Sequence, residues 1–347
     1  MSYTLGIDLG SSFARAAVCT DETPRLLCAL PSVVAFPKKG DPVSGEVARR
    51  QAYISPSRSC TDILSTIAGT QRREIDGHFY SGVEIAGVLL RELRAMAQAA
   101  LGQELRHCVL SVPDGFGWEE RRALREASAL AGLHVEGFIV ESCAAALGSS
   151  AFPGRHEQIL LCDAGGGRFK AAVLRQSDEG IKRLSFAESR DAGGHGFDSC
   201  IAAWLLQRFR EEHGADLSRD VNAMQRIMEA AELAKCRLSE NSITTISIPY
   251  ITAEKDEPLH LEQQLSRSLF YELAARLIRE MELSIQKALE DTGEAERIVI
   301  TGGGAAMPAL REIAGRTAFV PHGGETATAL GAALAARNNY AAETAMT

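Results

Sequence analysis

Leu160–Val173 reads LLCDAGGGRFKAAV. Apolar residues run into Asp163, then Gly165, Gly166 and Gly167 follow, and a second apolar-alternating run begins. The pattern predicts a strand, a tight glycine turn and a returning strand, because glycine accepts backbone angles that a side chain forbids. Bare N–H groups in such a turn can sit close to phosphate oxygens. A carboxylate just before it can hold a divalent cation through water, as Mg²⁺ prefers. Leu5–Ala17, LGIDLGSSFARAA, has the same design: Asp8 precedes Gly10, Ser11 and Ser12, and a strand follows. Two hairpins of this form, about half a chain apart, make an internal repeat. A third glycine cluster, Gly302, Gly303 and Gly304, follows an expected strand at Arg297–Thr301.

The chain has 347 residues, enough for two domains or one large two-lobed one. A hydrophobic fraction of 46% supplies an ample core, and a net charge of −8 argues against nonspecific nucleic-acid binding. The apolar runs are too short to cross a bilayer and no cleavable leader is expected, so no membrane role is assigned. Eight cysteines are scattered with no C-x-x-C pair, several inside apolar patterns. They read as small core residues of a reduced, cytoplasmic protein rather than metal ligands.

Along the chain, a short strand is expected at Ser32–Phe36, and residues 38–73 are polar and weakly periodic. Gly82–Leu101 has helical spacing, and Cys108–Val112 reads as a strand ending at Pro113. Helix Trp118–Ala131, strand Phe138–Val140 and a helix from Ser142 complete a first half. A crossover at Phe152–His156 follows. Beyond the second hairpin, helices are expected at Phe197–His213, Val221–Ser239 and, as one long amphipathic element, Leu269–Leu289. Strand Thr244–Pro249 and short helices around Ala318–Val320 follow, with a frayed tail from Asn338.

Taken in order, these segments resemble the nucleotide-binding domain of the DnaK family of heat-shock chaperones, in the actin and sugar-kinase superfamily. The landmarks are GIDLGSS at Gly6, PSVVAF at Pro31, SVPDGF at Ser111, the helix from Glu119 into AGLHVEGFIVESCAAAL, DAGGGRFK at Asp163, GGHGFD at Gly193, EAAELAKCRLS at Glu229 and VITGGGAAMP at Val299. The resemblance implies an α/β, actin-like ATPase fold of two lobes, each on a mixed five-stranded sheet, with ATP or ADP in the cleft between. The lobes would be residues 1–151, with a reduced peripheral subdomain at about 37–80, and residues 152–347, with a subdomain at about 198–296. Gly10, Ser11 and Ser12 would form one phosphate loop and Gly165–Gly167 the other, with Asp8 and Asp163 facing Mg²⁺. Ribose and adenine would lie among Gly193, Gly194, Glu232, Lys235, Ser239 and Gly302–Gly304. Glu141 falls at the carboxylate that orients water, and Pro113 and Arg121 at the family's proline–arginine switch.

The chain also departs from the family pattern. No acidic-hydrophobic linker and no peptide-binding half are expected, so partners would be proteins or co-chaperones met by a monomer or dimer. The family's catalytic lysine falls at Leu64, which cannot donate to a γ-phosphate or to water. A threonine and an aspartate of the family become Arg168 and Lys170, two apart on a strand and so on one face. Ser142 replaces the proline after Glu141, and Cys236 and Ala306 replace two arginines. Hydrolysis should therefore be weak or absent, since phosphoryl transfer depends chiefly on positioned charge.

Arg168 and Lys170 either contact the phosphates, replacing the lost lysine in catalysis, or pair with Asp8, Asp163 or Glu141 and neutralise the site. Plainer readings stand beside these. Asp before a glycine turn often only satisfies turn N–H groups. Glu232 and Lys235 could be a surface ion pair, and His195 an exposed loop residue. The alternatives to a stand-alone nucleotide-binding module are a pseudo-ATPase scaffold with an empty, salt-bridged cleft and an actin-like filament protein. A small-molecule kinase lacks its catalytic aspartate here.

Overall fold

Each glycine hairpin forms the middle of a sheet. The computed structural model describes residues 3–69, 71–152, 157–178, 180–254, 257–315 and 317–338. In the first sheet the order is His134–Val140, His107–Val112, Thr4–Leu9, Phe13–Thr20 and Thr23–Pro31; the first three strands run parallel and the remaining pairings are antiparallel. In the second the order is Arg297–Thr301, Gln158–Ala164, Phe169–Ser177 and Gly180–Ser189, paired parallel and then antiparallel twice. The two sheets share one topology, so the repeat extends well beyond the glycine turns.

The second sheet differs from the expected five strands. Where the first sheet has its fifth strand, the second has only an isolated parallel bridge from Phe319 to Val299. The apolar run Ala318–Val320 is short and meets Pro321, which has no N–H to extend a ladder.

Packing follows from strand alternation. Leu5 and Ile7 of the first strand join Leu89, Leu90 and Leu93 of the helix Gly82–Leu101 in one core. That helix starts with a Ser81–Glu84 capping box and stops at Gly102, whose φ is 71°. In the second sheet, Leu160 and Cys162 face Phe197, Ile201 and Leu205 of the helix Gly194–His213. On its other face Ile159, Leu161 and Ala172 meet Val109, Ile139 and Ala144, joining the two sheets in a shared core.

The helix Ala327–Asn338 follows the second sheet in the chain but packs on the first, against strands Thr4–Leu9 and Phe13–Thr20 and helix Glu141–Gly148. Its approach is backbone to backbone. A Cβ on Gly331 would lie 1.8 Å from the Ala144 carbonyl oxygen, and one on Gly6 2.1 Å from the Ala333 nitrogen.

Several local expectations shift. The helix expected over Leu269–Leu289 is two, Arg267–Leu273 and Ala275–Glu290, because buried Ala274 leaves helical geometry. Strands Thr23–Pro31, Gly180–Ser189 and Glu257–Ser266 were unforeseen. The polar stretch after Phe36 holds short strands and the helix Glu46–Ile54, which touches helix Val221–Glu240 from the other half. Cys60, Cys108, Cys143 and Cys162 are buried as small core residues, whereas Cys236 is exposed. Residues 153–156 of the expected crossover and the tail from 339 lie outside the described residues. Among the described residues no helix is long and apolar enough to cross a membrane.

Candidate functional site

The two glycine turns meet tip to tip. Ser12 Oγ lies 3.1 Å from His195 Nε2. A Cβ on Gly166 would fall 1.9 Å from Ser12 Oγ, and one on Gly167 2.6 Å from Ser11 Oγ. Gly193 precedes the helix Gly194–His213, whose first N–H groups bind the second turn: Gly194 donates to the Gly165 carbonyl at 3.0 Å and His195 to that of Gly166 at 2.8 Å. His195 is exposed, as expected, but it sits in the first turn of this helix and joins the two glycine turns. Gly302, at φ 86°, lies against Asp163 and Ala164; a Cβ there would be 2.8 Å from Asp163 Oδ1.

The two aspartates expected to face a metal each face a cation of their own hairpin. In the first hairpin Asp8 pairs across the ladder with Arg15, and in the second Asp163 pairs with Lys170. Directly opposed residues of an antiparallel pair project to the same face. Arg15 Nη1 is 4.0 Å from Asp8 Oδ2, and Lys170 Nζ is 3.5 Å from Asp163 Oδ2. Lys170 also makes a direct ion pair with Glu141, the first residue of the helix Glu141–Gly148. Lys170 is 5% exposed and Glu141 8%, so this pair is out of water. Asp8 and Asp163 further accept hydrogen bonds from Ser111 and Thr301, each at 3.0 Å.

Burial raises the Asp8 carboxyl against the opposing pull of Arg15, Ser111 and Lys170. Burial pushes Asp163 up to about 6, helped by the Asp8 and Asp114 carboxylates and opposed by the Thr301 hydroxyl and Arg15. Burial also pushes the Lys170 ammonium down, while Asp114, Asp8 and Glu188 hold it up.

Arg168 does not join Lys170. It turns to Glu188 on the strand Gly180–Ser189, at 3.3 Å. Leu64 sits in a single turn and, with Leu9, Gly10, Ser11 and Asp62, lines a shallow pocket beside the first glycine turn. Lys235 does not pair with Glu232. It binds Asp198 Oδ1 at 2.7 Å and donates to the Gly194 carbonyl at 3.1 Å. Glu232 is exposed and Ser239 half-buried on the same helix.

Sequence reasoning missed three residues of this region, Arg15, Asp198 and Asp114. Arg15 and Lys170 both stand seven positions after their aspartate, a spacing readable from either hairpin once the turn length is known. Asp198 lies two residues past Gly196. Asp114, next to Pro113, has a fully buried side chain that accepts from the Ser142 N–H and hydroxyl and from Arg183 Nη1 at 2.9 Å. Ser142, which replaces the family's proline, thus supplies an N–H that proline could not. Arg121 stacks over Phe138 at 5.9 Å.

Two topologically matched sheets, each carrying a glycine turn to one shared seam, define an actin-like ATPase fold. The family model described as Hsp70 protein matches residues 68–338 of the 347. The chain belongs to the Hsp70 family, and its architecture is that of a DnaK-like nucleotide-binding domain. Members of this family generally use ATP or ADP with Mg²⁺ and work with co-chaperones and protein substrates.

The residues here do not fit the divalent cation. Both aspartates and Glu141 are engaged by Arg15 or Lys170. Phosphate fits better. Among the described residues, no protein acceptor takes the N–H groups of Ser11, Ser12, Gly166 or Gly167, and successive unpaired N–H groups in a turn favour anions.

Proposed function

We propose that this chain is an Hsp70-type nucleotide-binding module that holds ADP or ATP between Gly10–Ser12 and Gly165–Gly167 and hydrolyses it slowly or not at all. It acts through a protein partner or co-chaperone, as a cytoplasmic monomer or dimer. Ribose and adenine lie among Gly193, Gly194, Glu232, Lys235, Ser239 and Gly302–Gly304. The proposed division is into residues 1–151 and 152–347, with subdomains at about 37–80 and 198–296; the separate cores of the two sheets support it.

One observation carries the reading: the buried ion pair of Lys170 with Glu141. A carboxylate held by an ammonium is a poor base and a poor orienter of water, and Leu64 brings no charge to the opposite wall. Losing one positioned group lowers such rates by about 10²–10³-fold. Purified protein incubated with γ-labelled ATP and Mg²⁺ tests this. Phosphate release at the no-protein background is expected, and brisk Mg²⁺-dependent turnover would defeat the reading.

A second reading, a pseudo-ATPase scaffold with no nucleotide, is favoured by the Ser12–His195 bond and the Ser12–Gly166 contact across the seam. Limited proteolysis with and without ADP separates the two. Protection by ADP supports the nucleotide-holding module, and an unchanged cleavage pattern supports the scaffold.

A further inference from the structure

We propose that Arg15 and Lys170 are resident counter-cations, and that the cleft takes a nucleoside di- or triphosphate without a divalent metal. The inference rests on the nucleotide-holding reading above and names the charge that replaces the metal.

The first argument is the duplicated geometry. Asp8 is opposite Arg15 and Asp163 is opposite Lys170, in equivalent registers of two hairpins from different halves of the chain. A chance surface lysine or arginine would not fall on the partner position of both aspartates. Each cation is built into the strand that returns from a glycine turn, beside the unpaired N–H groups of that turn.

The second argument is charge. Asp8, Asp163 and Glu141 converge here with three carboxylates. Arg15 and Lys170 bring two positive charges, the same number as one divalent ion. The remaining charged neighbours are paired among themselves: Arg168 with Glu188, and Arg183 with Asp114. A phosphate arriving at the N–H groups of Ser11, Ser12, Gly166 and Gly167 therefore meets a cluster whose three negative charges are reduced to one.

The third argument is fixity. The Lys170 side chain is buried and held by two carboxylates, and Arg15 is anchored over the Phe13 ring at 5.3 Å. Mg²⁺ needs near-octahedral oxygen ligands and several of its own waters. An ammonium seated between Asp163 and Glu141 takes the ligands such an ion would use.

The test is titration of the full chain with a fluorescent N-methylanthraniloyl-ADP, once in excess EDTA and once in excess Mg²⁺. The expected result is binding in both buffers with Kd values within about twofold. Binding that strengthens tenfold or more with Mg²⁺ would overturn this inference while leaving the nucleotide-holding reading intact. No binding in either buffer would overturn both. Manganese EPR of the protein with ADP gives a readout independent of affinity: the free-ion signal should persist, and its loss on adding protein would again overturn the inference. Lys170→Gln, close in size, should bind the probe at least tenfold more weakly in EDTA and recover with Mg²⁺. Unchanged metal-free binding by a folded Lys170→Gln would count against Lys170 as the resident charge.

Discussion

Replacing Lys170 by methionine removes the ammonium and keeps the volume of its stem. Buried Glu141 and half-buried Asp163 then lose their shared partner. Breaking a buried pair from one side generally destabilises by about 3–5 kcal/mol, because the survivor stays uncompensated. Proton uptake limits the loss. Asp163 already titrates at about 6, and without Lys170 it rises further. The folded variant then binds a proton that the unfolded chain does not, so its stability falls as pH rises. The expected loss relative to wild type is about 3 kcal/mol at pH 7.5 and less at pH 5.5. Urea unfolding, followed by fluorescence of Trp118 and Trp204, measures it. Lys170→Met combined with Glu141→Gln should recover a substantial part of the deficit, since one stranded charge is gone. A single variant within 1 kcal/mol of wild type at pH 7.5, or a double variant no better than the single, would refute the buried-pair argument.

Other consequences are open to direct measurement. In the wild type, the folded Asp163 holds its proton to about pH 6 against an ordinary 3.8; its contribution to stability therefore declines by about 3 kcal/mol as pH rises from about 4 to about 6 and is flat above. Asp163→Asn should flatten that part of the stability profile in urea titrations at stepped pH. Gly331→Ala places a methyl 1.8 Å from the Ala144 carbonyl oxygen, so a loss of about 3 kcal/mol is expected, read as a lowered melting temperature. His195→Ala removes the hydrogen bond to Ser12 across the seam. It should lower stability by only about 1 kcal/mol while speeding amide exchange at Gly165 and Gly194, whose N–H groups are bonded at the seam.

Both glycine hairpins were readable because glycine next to an aspartate and an apolar run has few other uses. The same residues also contained the counter-cation pattern, as Asp8 to Arg15 and Asp163 to Lys170, but its meaning depended on ladder register. Register is settled by how many residues the turn consumes, and a triple-glycine turn leaves that number open. The open choice for Lys170 between phosphate and carboxylate needed the position of Glu141, which comes from a helix in the other half of the molecule. Strands Thr23–Pro31 and Gly180–Ser189 escaped notice because their faces are only partly buried and their apolar alternation is diluted by Arg25, Lys182 and Arg183. The break at Ala274 had no local signal, since alanine is the best helix former. His195, flanked by Gly194 and Gly196, looked like an exposed loop; its place at the seam depends on the helix dipole end that docks against Gly165 and Gly166.

The helix Ala327–Asn338 has a bearing on how the molecule is made. A ribosome delivers Thr4–Leu9 long before the layer that covers Gly6, Ala17 and Leu26, which arrives only with residues 327–338. The first sheet therefore waits, one side bare, through synthesis of the entire second one. Unpaired apolar surface of that kind invites nascent chains to stick to one another. A chain halted at residue 326 should accordingly collect in the insoluble fraction, with its oldest strands the ones left uncovered.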